Sequence, residues 1–264
     1  MPIYIDQLNN EINLPTTPKR IVSLVPSQTE LLFDLGLNEE VIGITKFCVH
    51  PQKWLQQKTK IGGTKNINIQ KIKELQPDLI IANKEENIKE QIEALQSFCP
   101  VWISDVNNLH DALTMIESIG EIINKKQEAE SLVNNIRNKF LQLNAYNIQH
   151  KTCYLIWREP YMTIGGDTFI NDMMKHCGLI NVYENEMRYP TIALEDLVNK
   201  KCELVLLSSE PYPFKQKHIE EIKSQIKNFE LQFLLVDGEM FSWYGSRLLK
   251  TADYFIELRK IIFS

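Results

Sequence analysis

Arg20-Ile21-Val22-Ser23-Leu24-Val25-Pro26-Ser27-Gln28-Thr29-Glu30-Leu31-Leu32-Phe33-Asp34-Leu35-Gly36 is the stretch that decides the fold. Residues 21–25 are mostly apolar and β-branched, as a strand covered on both faces is. Pro26 has no N–H to give a ladder and ends the strand. Ser27 and Glu30 stand three apart, the spacing of a capping box, so a helix is expected to open there. Leu31, Leu32 and Leu35 supply its buried stripe, and Gly36 suits the left-handed residue after a helix. A strand feeding a helix in this way opens a parallel α/β sheet. Such sheets bind ligands beyond the carboxyl ends of their strands. Pro26 and Ser27 are therefore the first candidate ligand-binding residues.

The alternation continues outward from this unit. Residues 1–19 are expected to lead in along an edge, because Pro15 and Pro18 stop any helix. Strands are expected over 41–45, 78–82 and 101–103, with helices over 67–75 and 86–97 between them. Two helices with almost no strand signal follow, at 111–123 and 127–146. The second carries Ala129, Leu132, Val133, Ile136, Phe140 and Leu143 on one face. At about 20 residues it spans roughly 30 Å and reads as a stiff connector. Strands at 153–157, 204–207 and 233–236 then alternate with helices at 167–177, 194–199, 218–226 and 246–262. The expected fold class is α/β, with two parallel-sheet lobes bridged by a single long α-helix. The expected domains are an N-terminal lobe over 1–107, a helical connector over 108–147 and a C-terminal lobe over 148–264.

A faint internal repeat links the lobes. The pairs Gln70/Glu195, Asp78/Glu203 and Glu85/Glu210 are each 125 residues apart, so helix, strand and acidic loop recur once per lobe.

Composition narrows the function. The 264 residues are 44% hydrophobic, enough for two cores, and the net charge is -5 with no basic run. Nucleic acid is not an expected partner. No apolar run approaches the roughly 18 residues that cross a bilayer, so the chain is not expected to be an integral membrane protein. Residues 1–13 lack the pattern of a signal peptide. The five cysteines are odd in number and form no framework. The chain as it stands is therefore expected in the cytoplasm, or in the periplasm if a leader has been removed.

The motifs resemble the substrate-binding proteins of ABC importers for vitamin B12, haem and ferric siderophores. They are Arg20 to Ser27 with Thr29-Glu30-Leu31-Leu32, Val41-Ile42-Gly43, Leu75-Gln76-Pro77-Asp78-Leu79-Ile80, Gly165-Gly166-Asp167-Thr168-Phe169-Ile170 and Cys177-Gly178-Leu179-Ile180-Asn181-Val182. The resemblance implies two α/β lobes on a helical backbone. It also implies a corrinoid, haem or ferric-siderophore ligand between them, no covalent cofactor, and an ABC permease as possible partner. It further implies one docking acid per lobe. Glu195 matches the second; Gln70, a neutral amide, stands at the first, with Glu74 one turn on as a substitute.

Strand-end loops hold the remaining candidates. Trp157, Arg158, Glu159 and Tyr161 follow the first strand of the second lobe. A flat chelate would stack on Trp157, and the Arg158 fork would hold its carboxylate or phosphate. The structural alternative is a core-edge Trp beside a surface ion pair. Tyr189, Tyr212, Trp243, Tyr244 and Arg247 are further ligand-binding candidates. For Trp243 and Tyr244 a core plug is the alternative, and for Arg247 a loop brace. In Phe47-Cys48-Val49-His50, Phe47 and His50 are expected to line the pocket, and Cys48 with His50 is the one candidate metal pair. Gly62-Gly63-Thr64-Lys65 lacks the full phosphate-loop pattern, although Lys65 is a candidate for an anionic ligand. No hydrolase or metalloprotease motif is present, so the chain is read as a binding protein and not an enzyme. The alternatives are a cytoplasmic carrier or sensor that lost its permease, and an enzyme acting on a chelate through Cys48, His50 or Glu159.

Overall fold

The computed structural model describes residues 2–143, 150–226 and 231–262. These divide into two compact units. The first holds residues 1–106, 110–135 and 243–248, and the second 107–109, 136–242 and 249–264. The region expected as a separate connector is shared between them, and a short stretch near the end of the chain belongs to the first.

In the first unit β1 (Ile3–Ile5) and β2 (Glu11–Asn13) form an antiparallel hairpin. The expected lead-in is thus folded, because the Asp6 carboxylate accepts from the backbone N–H groups of Leu8 and Asn10 and closes the turn. The main sheet is wholly parallel, in the order β5 (Thr59–Lys60), β4 (Val41–Ile44), β3 (Ile21–Ser23), β6 (Leu79–Asn83), β7 (Val101–Ser104). Helices α1 (Pro26–Asp34), α2 (Gln52–Gln57), α3 (Ile69–Leu75), α4 (Lys89–Gln96) and α5 (Leu109–Ile122) connect or follow these strands. Every residue of β3, β6 and β7 is buried, which explains why these strands read as unbroken apolar runs.

The start of α1 departs from expectation. Val25 is the N-cap and makes no side-chain cap, and Pro26 takes the first helical position. Proline costs nothing there, since its missing N–H would be an orphan anyway. The expected Ser27/Glu30 capping box does not form, because Glu30 turns inward to a stronger partner. Arg247 donates from Nε and Nη2 to the two Glu30 oxygens, both at 2.8 Å, with each side chain only 6% exposed. Gly36 has φ +88°, as a left-handed residue closing a helix should.

Helix α6 (Lys126–Leu143) carries the chain out of the first unit, whose boundary falls between Asn135 and Ile136. Ala129, Val133, Ile136, Phe140 and Leu143 are its buried stripe. The final residues of the expected 127–146 helix lie outside the described residues. In the second unit the parallel order is β11 (Gln232–Val236), β10 (Leu204–Ser208), β8 (His150–Leu155), β9 (Leu179–Asn181). Helices α7 (Phe169–His176), α8 (Asp196–Asn199), α9 (Gln216–Gln225), α10 (Glu239–Ser242) and α11 (Leu248–Ile262) complete it.

The repeat is realised in corresponding bonds. Asp78 accepts from the backbone N–H of Lys19 and Arg20 at the entry to β3, and Glu203 accepts from that of Lys151 in β8. Gln76 and Lys201 both adopt left-handed φ, 48° and 52°. At the far ends of β6 and β10, Asn83 Oδ1 takes the N–H of Glu85 and Ser208 Oγ that of Glu210. Each strand pair is thus tied at one end by an acid and turned at the other by a short polar side chain.

Two outcomes are expected. Glu30→Gln or Arg247→Met should lower stability in urea by about 3–5 kcal/mol, the usual cost of orphaning a buried charge. Glu30→Leu with Arg247→Leu should lose markedly less; equal loss in singles and double would show that the pair is not coupled. The cysteines are all free and buried, and burial pushes Cys99 and Cys177 up to about 12 and Cys202 up to about 11. A thiol reagent at pH 8 should therefore label the native chain slowly, and the denatured chain at all five cysteines without reductant.

Candidate functional site

In each sheet two neighbouring strands send their connections in opposite directions, and the crevice outside their carboxyl ends is where such sheets bind ligands. In the first unit these strands are β3 and β6, and in the second β8 and β10.

In the first unit Pro26 is half-buried and Ser27 buried at the start of α1. Behind them Thr29 Oγ1 lies 2.7 Å from Ser23 Oγ and 3.1 Å from Cys48 Sγ, and Thr45 Oγ1 is also 3.1 Å from that sulfur. Burial raises the Cys48 thiol, so it is a packed neutral group held between two hydroxyls. His50 packs its ring edge against Trp243, with centroids 5.5 Å apart. Among the described residues no group of three or more His, Cys, Asp or Glu is placed to hold a metal ion, so Cys48 and His50 have no further such ligand beside them. Phe47 is 51% exposed. Its ring passes 3.0 Å from where a Cβ on Gly63 would sit, and Lys46 lies over it. Gly63 therefore seats an aromatic ring. Lys65 Nζ reaches the carbonyl of Glu85 and ties that loop to the end of β6. Trp243 and Tyr244 are buried in this unit, and the Arg247 guanidinium stacks over Trp243 at 4.7 Å while forking onto Glu30. Core and brace thus describe these three side chains.

The second unit presents an accessible aromatic wall. Trp157, just beyond β8, is 41% exposed and meets Tyr212, beyond β10, edge to face at 5.8 Å. Arg158 donates from Nε and Nη2 to Glu221 on α9, at 2.9–3.2 Å, and also pairs with Glu159 at 2.9 Å. Tyr161 donates to the same Glu221 oxygen at 3.2 Å. The Arg158 hydrogen bonds hold the Glu221 carboxyl below its usual range, while burial and then the Glu221 charge raise the Tyr161 phenol. Arg158 is therefore committed within the protein, and its fork braces the wall. Tyr189 is half-buried under the Arg188 guanidinium, at 5.7 Å. Close by in the chain, Arg188 pairs with Asp167 beside a polar cavity of about 350 Å³ that Asn107, Asp172 and Lys175 also line.

The sequence reading missed Glu221 and left His218 among scattered histidines. The signal was available: the two stand three apart on α9, on one face and one turn from each other. Glu195 is exposed at the start of α8, while Gln70 is exposed on α3 and donates to Glu74, 3.3 Å away.

The chain is 24% identical over 212 residues to a vitamin B12-binding protein of Vibrio parahaemolyticus, covering 78% of this chain and 77% of that one. It is 30% identical over 186 residues to an uncharacterised ABC transporter substrate-binding lipoprotein, YvrC, of Bacillus subtilis, covering 66% of this chain and 58% of that one. Among solved structures it is similar to the periplasmic vitamin B12 binding protein BtuF of Vibrio cholerae. The TM-score there is 0.78 at 21% identity, over 94% of this chain and 98% of that one. The model of the periplasmic binding protein family matches residues 21–229. With two parallel-sheet units joined by one long helix, and most of its length matched, the chain belongs to the periplasmic binding protein family.

Proposed function

We propose that this chain binds a corrinoid or a related flat metal chelate and hands it to an ABC permease. The observation that carries the reading is the accessible Trp157–Tyr212 wall outside the β8/β10 crevice. Flat conjugated ligands gain dispersion and quadrupole contact from such a surface. The wall is preorganised, since Arg158, Glu221 and Tyr161 fix the loop before any ligand arrives. Within the first unit, Phe47 is an exposed apolar side chain, and Pro26, Ser27, His50 and Lys65 lie in the segments beyond that unit's own strands. The relatives named as vitamin B12-binding proteins favour a corrinoid over haem or a ferric siderophore.

Permease docking rests on Glu195, with Glu74 supplying the first-unit charge in place of Gln70. An arginine-lined permease pocket would recognise either acid through a charge-assisted bond. The lipoprotein and periplasmic descriptions of the relatives favour a site of action outside the cytoplasmic membrane over the cytoplasmic alternative. They also favour binding without turnover over chemistry at Cys48, His50 or Glu159.

Calorimetric titration with cyanocobalamin, haemin and a ferric hydroxamate separates the ligand classes. One equivalent of the corrinoid should bind most tightly and be recovered unchanged. Trp157→Ala should weaken it by on the order of 1–3 kcal/mol, as for a stacked hot-spot ring, with the fold intact. No binding of any of the three, or undiminished affinity in the Trp157 variant, would overturn the reading.

A further inference from the structure

His218 sits in the first turn of α9 and is 4% exposed. Its Nδ1 accepts the backbone N–H of Lys215 at 2.9 Å, so that nitrogen carries no proton. In the neutral ring the proton is then on Nε2, which stands 3.3 Å from the Tyr212 hydroxyl and donates to it. One imidazole thus caps the helix and holds a phenol. The ring also packs against Tyr212 and Phe214, with centroids 5.4 Å and 5.6 Å away, and those two rings meet each other at 4.8 Å. Tyr212 in turn meets Trp157 at an interplanar angle of 69°.

We propose that His218 is a positioning residue for the ligand-facing wall of the second unit, fixing the Tyr212 ring and, through it, Trp157. The proposal rests on the reading of that wall as the ligand surface. Its test includes an arm that needs no ligand.

The arrangement works only while the ring is neutral. A protonated imidazole has two donors and no acceptor, so the Lys215 N–H would face another N–H. The groups around the ring agree in direction. Burial is the largest cause lowering the His218 pKa; Lys217, Arg158 and Lys215 lower it further, and Glu221 alone opposes them. Tyr212 faces the ring through its hydroxyl, hydrogen-bonded to it. Glu221 stays a carboxylate through this range, because Arg158 holds it down. With the folded pKa below the unfolded one, near 6.5, the unfolded chain binds the proton first. The stability that neutral His218 contributes is therefore present above about pH 6.5 and is lost as pH falls through the folded value. The position of Trp157 depends on protonation of the folded ring alone, so it should change only as pH falls through the folded value, below 6.5.

The ligand-free arm uses 5-fluorotryptophan in the full chain, with the Trp157 resonance assigned through Trp157→Phe. The wild-type resonance should shift as pH falls through the folded His218 value, which lies below the unperturbed 6.5. His218→Gln can accept from Lys215 and donate to Tyr212, so its resonance should stay at the wild-type position across the range. His218→Phe, with neither bond, should be displaced already at pH 8. A His218→Gln protein that titrates like wild type, or a His218→Phe protein that superimposes on it, would overturn the proposal. In the ligand arm, at pH 8, cyanocobalamin affinity should fall about threefold to tenfold in His218→Phe and return in His218→Gln. If Trp157→Ala binds as wild type, the wall is not the ligand surface, and the fluorine arm still decides the role of His218. If Trp157→Ala weakens binding while His218→Phe changes neither readout, the wall reading stands and His218 positions nothing.

Discussion

A guanidinium and a carboxylate taken out of water together, Arg247 and Glu30, set the terms for the first unit. Each ion alone would cost several kcal/mol to bury, and only a two-bond fork offsets that cost. The consequences spread along named contacts. Arg247 stacks on Trp243, Trp243 meets His50, and His50 belongs to the loop after β4. A segment 217 positions from Glu30 is thereby locked to the helix that opens the sheet. The same demand explains the composition of α1, whose first turns bury Ser27, Gln28, Thr29 and Glu30 on an otherwise apolar framework. Gln28 Nε2 donates to Ser104, leaving its Oε1 buried without a hydrogen-bond partner among the described residues, and Thr29 finds Ser23.

The second unit uses the same chemistry at a different depth. Arg158 and Glu221 are 25% and 33% exposed, so water screens the pair and its contribution to stability is small. Its value is geometric. A bidentate fork, with Tyr161 on the same carboxylate, fixes one orientation of the loop that carries Trp157. A deeply buried pair would have hidden the indole; a bare loop would have left it to rotate. Half-burial keeps the ring both oriented and available.

The sequence made the alternation of elements legible because hydrophobic period depends on local spacing. The buried strands, the stripe on α6 and the 125-residue repeat all follow from it. It failed where the deciding partner is distant. Ser27 and Glu30 have capping-box spacing, and nothing within ten residues reveals that Arg247 will take the carboxylate. Arg158 read as a ligand fork for the same reason, since Glu221 lies 63 positions on. Short elements escaped too. Helix α2 buries only Trp54, and β9 has three residues, so neither has enough period to read. Aromatic content pointed to both Trp157 and Trp243. Burial separates them, and burial is a property of the fold.

The repeat shows which parts of such a unit are free to change. At the strand entries Asp78 and Glu203 bond to backbone N–H groups, whose positions the parallel ladder dictates. In both units an acid takes those N–H groups. Beyond the strand ends Asn83 and Ser208 repeat the turn, and then the two copies part. The first continues into the Lys84-Glu85-Glu86 loop, where the exposed Lys84 pairs with Asp105 and the two glutamates are half-buried. The second continues into Glu210 and the stiff Pro211-Tyr212-Pro213 segment, braced by Ser242 and His218. Side chains bonded to backbone preserve a fold, and side chains bonded to one another can be exchanged in concert. The sheet therefore dictates where a strand-end loop begins. The Tyr212–His218 and Arg158–Glu221 pairs, which the sheet does not dictate, decide what surface it offers.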